Sequence, residues 1–176
     1  MRRTKHVIMV LIALGGACEA SLAQTPPSVN VAPAAPGDRP FRVGDAQSLA
    51  DFHAFLEPCR VRARAEWPGI KRRFLQGLPA QRSLFIVTRL RDARARTEQV
   101  FIVVDSLRGQ HIVGRIWSDI NTVEGYRHRQ LLVLPDSLIV DWMISHPNGS
   151  EEGNRMGKII DELQAKGALP RNACTR

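Results

Sequence analysis

The hydrophobic pattern of this chain changes period once, and that change limits the fold more than any other feature. From residue 45 to residue 78 apolar residues recur at helical spacing. From residue 83 they fall in short runs rich in Val, Ile and Phe, separated by polar or glycine-containing turns. Runs of that kind read as strands. Residues 83–90 (SLFIVTRL), 99–105 (QVFIVVD) and 110–117 (QHIVGRIW) give three, with 106–109 joining the second and third as a hairpin. After a loop containing Asn121 and Gly125, residues 130–134 and 137–145 supply two more around the Pro135-Asp136 turn. Residues 146–154 read as loop, and 155–166 as a closing helix stopped by Gly167. Helices on either side of consecutive short strands predict an α+β fold. The expectation is an antiparallel sheet of about five short strands with N-terminal helices and a C-terminal helix.

The helical part is punctuated by proline. Asp45 suits an N-cap, and Leu49, Phe52 and Leu56 share a face, so residues 46–56 read as an amphipathic helix. Pro58 interrupts it. A second short helix is expected over 59–66, and Pro68 suits the first position of a third, which ends near Gly77-Leu78-Pro79.

Upstream, Arg2, Arg3, Lys5 and His6 precede an apolar run over residues 7–14 that Gly15-Gly16-Ala17 extends. A basic stretch, a short apolar core and small residues in Ser21-Leu22-Ala23 have the layout of an export signal, with cleavage between Ala23 and Gln24. A membrane-spanning helix needs about 20 apolar residues, more than this run offers, so no transmembrane span is expected in the mature form. Cys18 supplies a minor alternative, a lipoprotein site, but Gly15 stands where a large aliphatic residue is usual. The Arg2-Arg3 pair lacks the apolar residues that follow a twin-arginine signal. The expected destination is the periplasm or the exterior. Residues 24–43, rich in Pro and Ala, read as a flexible linker, and 44–176 as one domain.

Cleavage removes three cations and one anion, so the net charge of +8 falls to +6. The excess lies between Arg60 and Arg96, where eleven Lys and Arg residues face only Glu66 and Asp92. Such a stretch suits anionic polymers or headgroups, with Arg72, Arg73, Arg94 and Arg96 as candidate contacts; the alternative is a solvated face. Export argues against nucleic acid, and no aromatic residues interleave the arginines as a stacking platform would require.

Cys59 and Cys174 remain after cleavage, an even count that in an oxidising compartment suggests one disulfide. The other reading is a buried Cys59 and a free thiol at Cys174. Two well-separated cysteines make no zinc pattern. His53, His111, His128 and His146 stand apart, and no nucleophile elbow or phosphate loop is present, so no cofactor, metal or catalytic set is expected. Glu98, Asp105, Asp119, Asp136 and Asp141 are the carboxylates of interest. Asp141 stands out because it interrupts the apolar run 138–144. Strict alternation would put it on one face with Ile139 and Met143, and Trp142 on the other with Val140 and Ile144. It is either a perturbed acid or base, or a structural carboxylate that caps a turn or pairs with an arginine. Asn148-Gly149-Ser150 fits a glycosylation triplet and, more simply, a turn.

Several segments together resemble the DUF2314 family of small domains. They are Ala63-Arg64-Ala65-Glu66-Trp67 with Pro68, then 84–87, 98–101 and 112–116. The resemblance is sharpest at Val123-Glu124-Gly125-Tyr126 and Ile139-Val140-Asp141-Trp142-Met143. It covers residues 62–156 and marks Glu98, Gly114, Gly125, Asp141 and Trp142 as motif positions. Family members often carry a histidine and a tryptophan in the strand that begins at Glu98, where this chain has Gln99 and Phe101. The resemblance implies an α+β fold and supplies no catalytic residue. The functional expectation is a non-catalytic binding module in the envelope, with an envelope protein or anionic surface polymer as partner. The alternative is a small hydrolase using Asp141.

Overall fold

A computed structural model describes residues 31–33, 35, 46–167 and 174. The export signal, its cleavage site, Cys18, the Asp45 cap and most of the expected linker lie outside the described residues.

The fold is α+β. Helix α1 (Ala46–Leu75) leads to strands β1 (Ser83–Arg91), β2 (Thr97–Arg108), β3 (His111–Ile116) and β4 (Leu131–Pro135). A single 3-10 turn (Asp136–Leu138) then precedes β5 (Ile139–Ser145), β6 (Glu151–Gly153) and helix α2 (Arg155–Lys166). All pairings are antiparallel, in the order β4-β3-β2-β1-β5-β6. The sixth strand occupies part of the expected 146–154 loop. Its three residues, Glu-Glu-Gly, carry no apolar signal and are strand only because they pair with Met143, Ile144 and Ser145.

The expected series of N-terminal helices is a single 30-residue helix with Pro58 and Pro68 inside it. The reason is one apolar stripe, Phe52, Leu56, Cys59, Ala63, Trp67, Ile70 and Phe74, spaced by threes and fours across both prolines. Each proline removes one i→i−4 hydrogen bond, freeing the carbonyls of Ala54 and Arg64. Both prolines and both of those residues are exposed, so water can satisfy the carbonyls. Burial of the stripe outweighs the two lost bonds.

The stripe serves two cores. Ala63, Trp67 and Ile70 pack with Leu84, Ile86, Val100, Ile102, Trp142 and Ile144 on one face of the sheet. Leu56 and Cys59 join Val87, Val140 and, from α2, Met156 and Ile159 in a second cluster. A third, of Phe85, Val103 and Met143, is covered by Val31 and Ala35. That part of the expected linker is therefore docked: Ala32 is 3% exposed, and its N–H donates to Ser83 Oγ at 2.7 Å.

Strand β5 is buried along its whole length, but it does not alternate as a regular strand would. Val87 pairs with Asp141 and Thr88 with Ile139, leaving Val140 as a bulge. The bulge corrects the expected sidedness. Ile139 packs with Trp142 and Ile144, while Val140 packs with Val87 and Met156.

Candidate functional site

Asp141 is fully buried. The backbone N–H of Trp142 donates to its Oδ1 and that of Met156 to its Oδ2, both at 2.9 Å. Helix α2 needs this partner. Its own N-cap, Asn154, lies in the left-handed region (φ 50°) and makes no side-chain cap. A carboxylate from β5 thus caps a helix that follows it in the chain, next to the positive end of the helix dipole. Burial pushes the Asp141 carboxyl above its ordinary value; the N–H bonds and the Arg155 guanidinium pull the other way without cancelling it. Arg155 in turn lies 5.5 Å from the Trp142 ring centre and pairs with Glu66 at 2.6 Å.

The other carboxylates serve similar ends. Glu98 accepts N–H bonds from Asn121 (2.9 Å), Thr122 (2.7 Å) and Val123 (3.1 Å), clamping the loop that buries Val123. Burial raises its pKa, but those three donors outweigh it and leave the carboxyl below its ordinary value. Asp136 accepts from Trp67 Nε1 (3.3 Å) and Lys71 Nζ (2.9 Å), tying α1 to the end of β4. Asp105 pairs with Arg115 at 3.2 Å, and burial lifts it despite that cation.

The remaining motif positions also hold the fold. Gly114 lies under Val103, where an added Cβ would stand 2.4 Å from the carbonyl oxygen. Gly125 turns at φ +82°. Trp142 is 3% exposed in the core. Asn148 Oδ1 accepts from the Ser150 N–H (3.0 Å) and Oγ (2.7 Å), the expected turn.

The basic stretch does not form one surface. Arg73 makes a two-pronged pair with Glu152 on β6, level with the start of β1 across β5, with exposed Arg72 next to it. Arg94 and Arg96 lie beyond the other end of β1, nine residues or about 30 Å away at ~3.3 Å per residue. Both contact Glu124, at 3.0 and 2.8 Å, and Arg96 also pairs with Asp92 at 2.7 Å. The four candidate contacts are two separate pairs, and three of them are neutralised internally.

A different cationic group converges where α1, β1, β5 and α2 meet, around a cleft of about 300 Å³. His53, Glu57 and Arg60 face it from α1, and Arg89 from β1. Arg89 Nη2 lies 3.1 Å from His53 Nε2, and Arg60 pairs with Glu57 at 2.5 Å. Among the described residues the Arg60 Nε is buried without a hydrogen-bond partner. Burial, then the cations Arg89 and Arg60, hold His53 below its ordinary value; burial and Arg60 do the same to Arg89. Leu56, Val140 and Met156 line the apolar side. This group escapes sequence reading because Arg89 comes from another element. The one available signal is the i, i+4, i+7 spacing of His53, Glu57 and Arg60, which appears only once α1 is read through Pro58.

Cys59 and Cys174 form a disulfide beside this region, with their Cα atoms 5.0 Å apart. The bond fits an oxidising compartment. Among the described residues no helix is long and apolar enough to cross a membrane, and no cluster of His, Cys, Asp and Glu is disposed to hold a metal. Comparison with family models, curated proteins and solved structures finds no match.

Proposed function

We propose that the chain is exported by its N-terminal segment, cut near Ala23, and works in the periplasm or outside the cell as a non-catalytic binding module related to DUF2314 domains. Its partner is an envelope protein or an anionic surface polymer. The observation that carries this reading is the use of Asp141. A hydrolase built on it would need the carboxylate to reach a substrate, yet the group is fully enclosed and both oxygens hold backbone N–H groups. The disulfide supports an exported form, since such bonds persist in oxidising compartments.

Cell fractionation followed by cross-linking in intact cells tests the reading. The recovered protein is expected to begin at Gln24, to carry no free thiol, and to give a discrete, saturable adduct with an envelope component. A cytosolic form that begins at Met1 with reduced thiols overturns export, and the absence of any saturable adduct overturns the binding role.

A further inference from the structure

The cleft between α1 and the β5 bulge has the chemistry of a specific site. Arg60 and Arg89 approach the same space with Glu57 as the sole carboxylate among the described residues that line it, and His53 is held towards its neutral form. Two guanidinium groups against one carboxylate leave one positive charge uncompensated. Most arginines of the basic stretch have a carboxylate or carbonyl partner: Arg62 has Glu66, Arg64 the Ser137 and Ile139 carbonyls, and Arg73 Glu152. Arg89 instead meets an imidazole nitrogen, and Arg60, though its Nη2 pairs with Glu57, keeps a buried Nε–H without an acceptor among the described residues. A buried donor left in that state favours any ligand that brings an acceptor.

Opposite the cations, Leu56, Val140 and Met156 make an apolar wall. Val140 is there because the bulge turns it to this side. The volume, about 300 Å³, is at the small end of ligand sites. We propose that this cleft binds a carboxylate carried on a short apolar group, the anionic head between Arg60 and Arg89 and the apolar part against Leu56, Val140 and Met156. A carboxylate matches both the single net charge and the planar fork of a guanidinium. The same head group is offered by the C-terminus of a peptide with an apolar last residue and by a free small carboxylic acid. The inference rests on the binding-module reading and names what that module recognises.

Calorimetric titration of the disulfide-bonded protein with N-acetyl-leucine and N-acetyl-leucinamide tests it, beside a tetrapeptide ending in leucine as acid and as amide. The acids are expected to bind at least about tenfold more tightly than the amides, because the amide loses charge-assisted hydrogen bonds. Arg89→Gln and Arg60→Gln are each expected to remove about that factor for the acids, and Arg72→Gln to leave it. A tetrapeptide acid that binds more tightly than N-acetyl-leucine identifies a peptide C-terminus; equal affinity identifies a free acid. Acid and amide binding alike on the unaltered protein overturns the proposal without reliance on any variant. So does an acid affinity indifferent to Arg89→Gln and Arg60→Gln. A cross-linked envelope adduct that survives both substitutions, with no acid preference, removes the cleft while leaving the binding module in place.

Discussion

The Asp141 carboxylate, inside a buried strand, accepts the N–H of Met156 at 2.9 Å and so starts a helix fourteen residues on from it. Replacing it with alanine leaves the N–H groups of Met156 and Trp142 buried without an acceptor. Asp141→Ala is expected to cost about 2–4 kcal/mol, from one lost cap and one further orphaned donor. Urea unfolding reads the loss, and hydrogen exchange should show it concentrated in the first turn of α2. Stability equal to the parent protein would contradict the capping role.

Two carboxylates should act in opposite directions on acid stability. Burial raises Asp92, but the N–H groups of Glu124, Arg96 and Arg94 and the Arg96 side chain outweigh it and bring its pKa to about 2, from 3.8. A lowered group contributes stability above its ordinary value and loses it as pH falls through the folded one. Asp92→Asn should therefore reduce stability near pH 5, with the deficit shrinking as pH falls from about 4 towards 2. Asp141 is raised, so its charge-linked contribution is full below its ordinary 3.8 and is lost as pH rises through the folded value. Urea midpoints measured from pH 2 to 6 for both Asn variants against the parent separate the two slopes.

Much of the sheet is legible in the sequence because its strands are apolar runs bounded by turns. The five expected strands all exist, and 155–166 is the helix foreseen. Three features are not legible, each for a physical reason. Helix α1 passes through two prolines because both sit on its wet side, which shows only when the apolar stripe from Phe52 to Phe74 is followed across them instead of being stopped at each. Strand β6 is made by its partner, not by its own residues. The bulge at Val140 exchanges the sides of Ile139 and Val140, and alternation alone cannot foresee a register shift. The work of Glu98, Gly125 and Asp141 as clamp, turn and cap depends on contacts across the fold that the sequence does not display. The Arg60–Arg89 cleft depends on them more still.

The disulfide should be a large part of the stability. It joins residues 115 apart in sequence, and chain-entropy reasoning gives a loop of that length at most about 4–5 kcal/mol. For a domain of this size about 1 kcal/mol corresponds to 2–4 °C, so reductant should lower the melting temperature by about 10 °C. Scanning calorimetry with and without reductant checks this. An unchanged melting temperature, with both thiols shown to be free, would mean that the helices hold each other without the bond.

Glycines with positive φ should differ according to what surrounds them. Gly153 and Gly125 have nearly the same backbone angle, +77° and +82°. A Cβ at Gly153 would stand 2.4 Å from the Trp142 carbonyl oxygen and 2.7 Å from its ring, whereas one at Gly125 meets nothing within 4 Å. The left-handed conformation alone costs an alanine about 1–2 kcal/mol, and that is the expected effect of Gly125→Ala. Gly153→Ala must in addition displace Trp142 or the chain that leads into α2, close to the Asp141 cap. It should cost about 4 kcal/mol or more, the range reserved for core overpacking with backbone strain. Urea unfolding of the two variants side by side checks the difference. Equal losses would show that the Trp142 contact yields easily, and that backbone angle alone sets the requirement for glycine at residue 153.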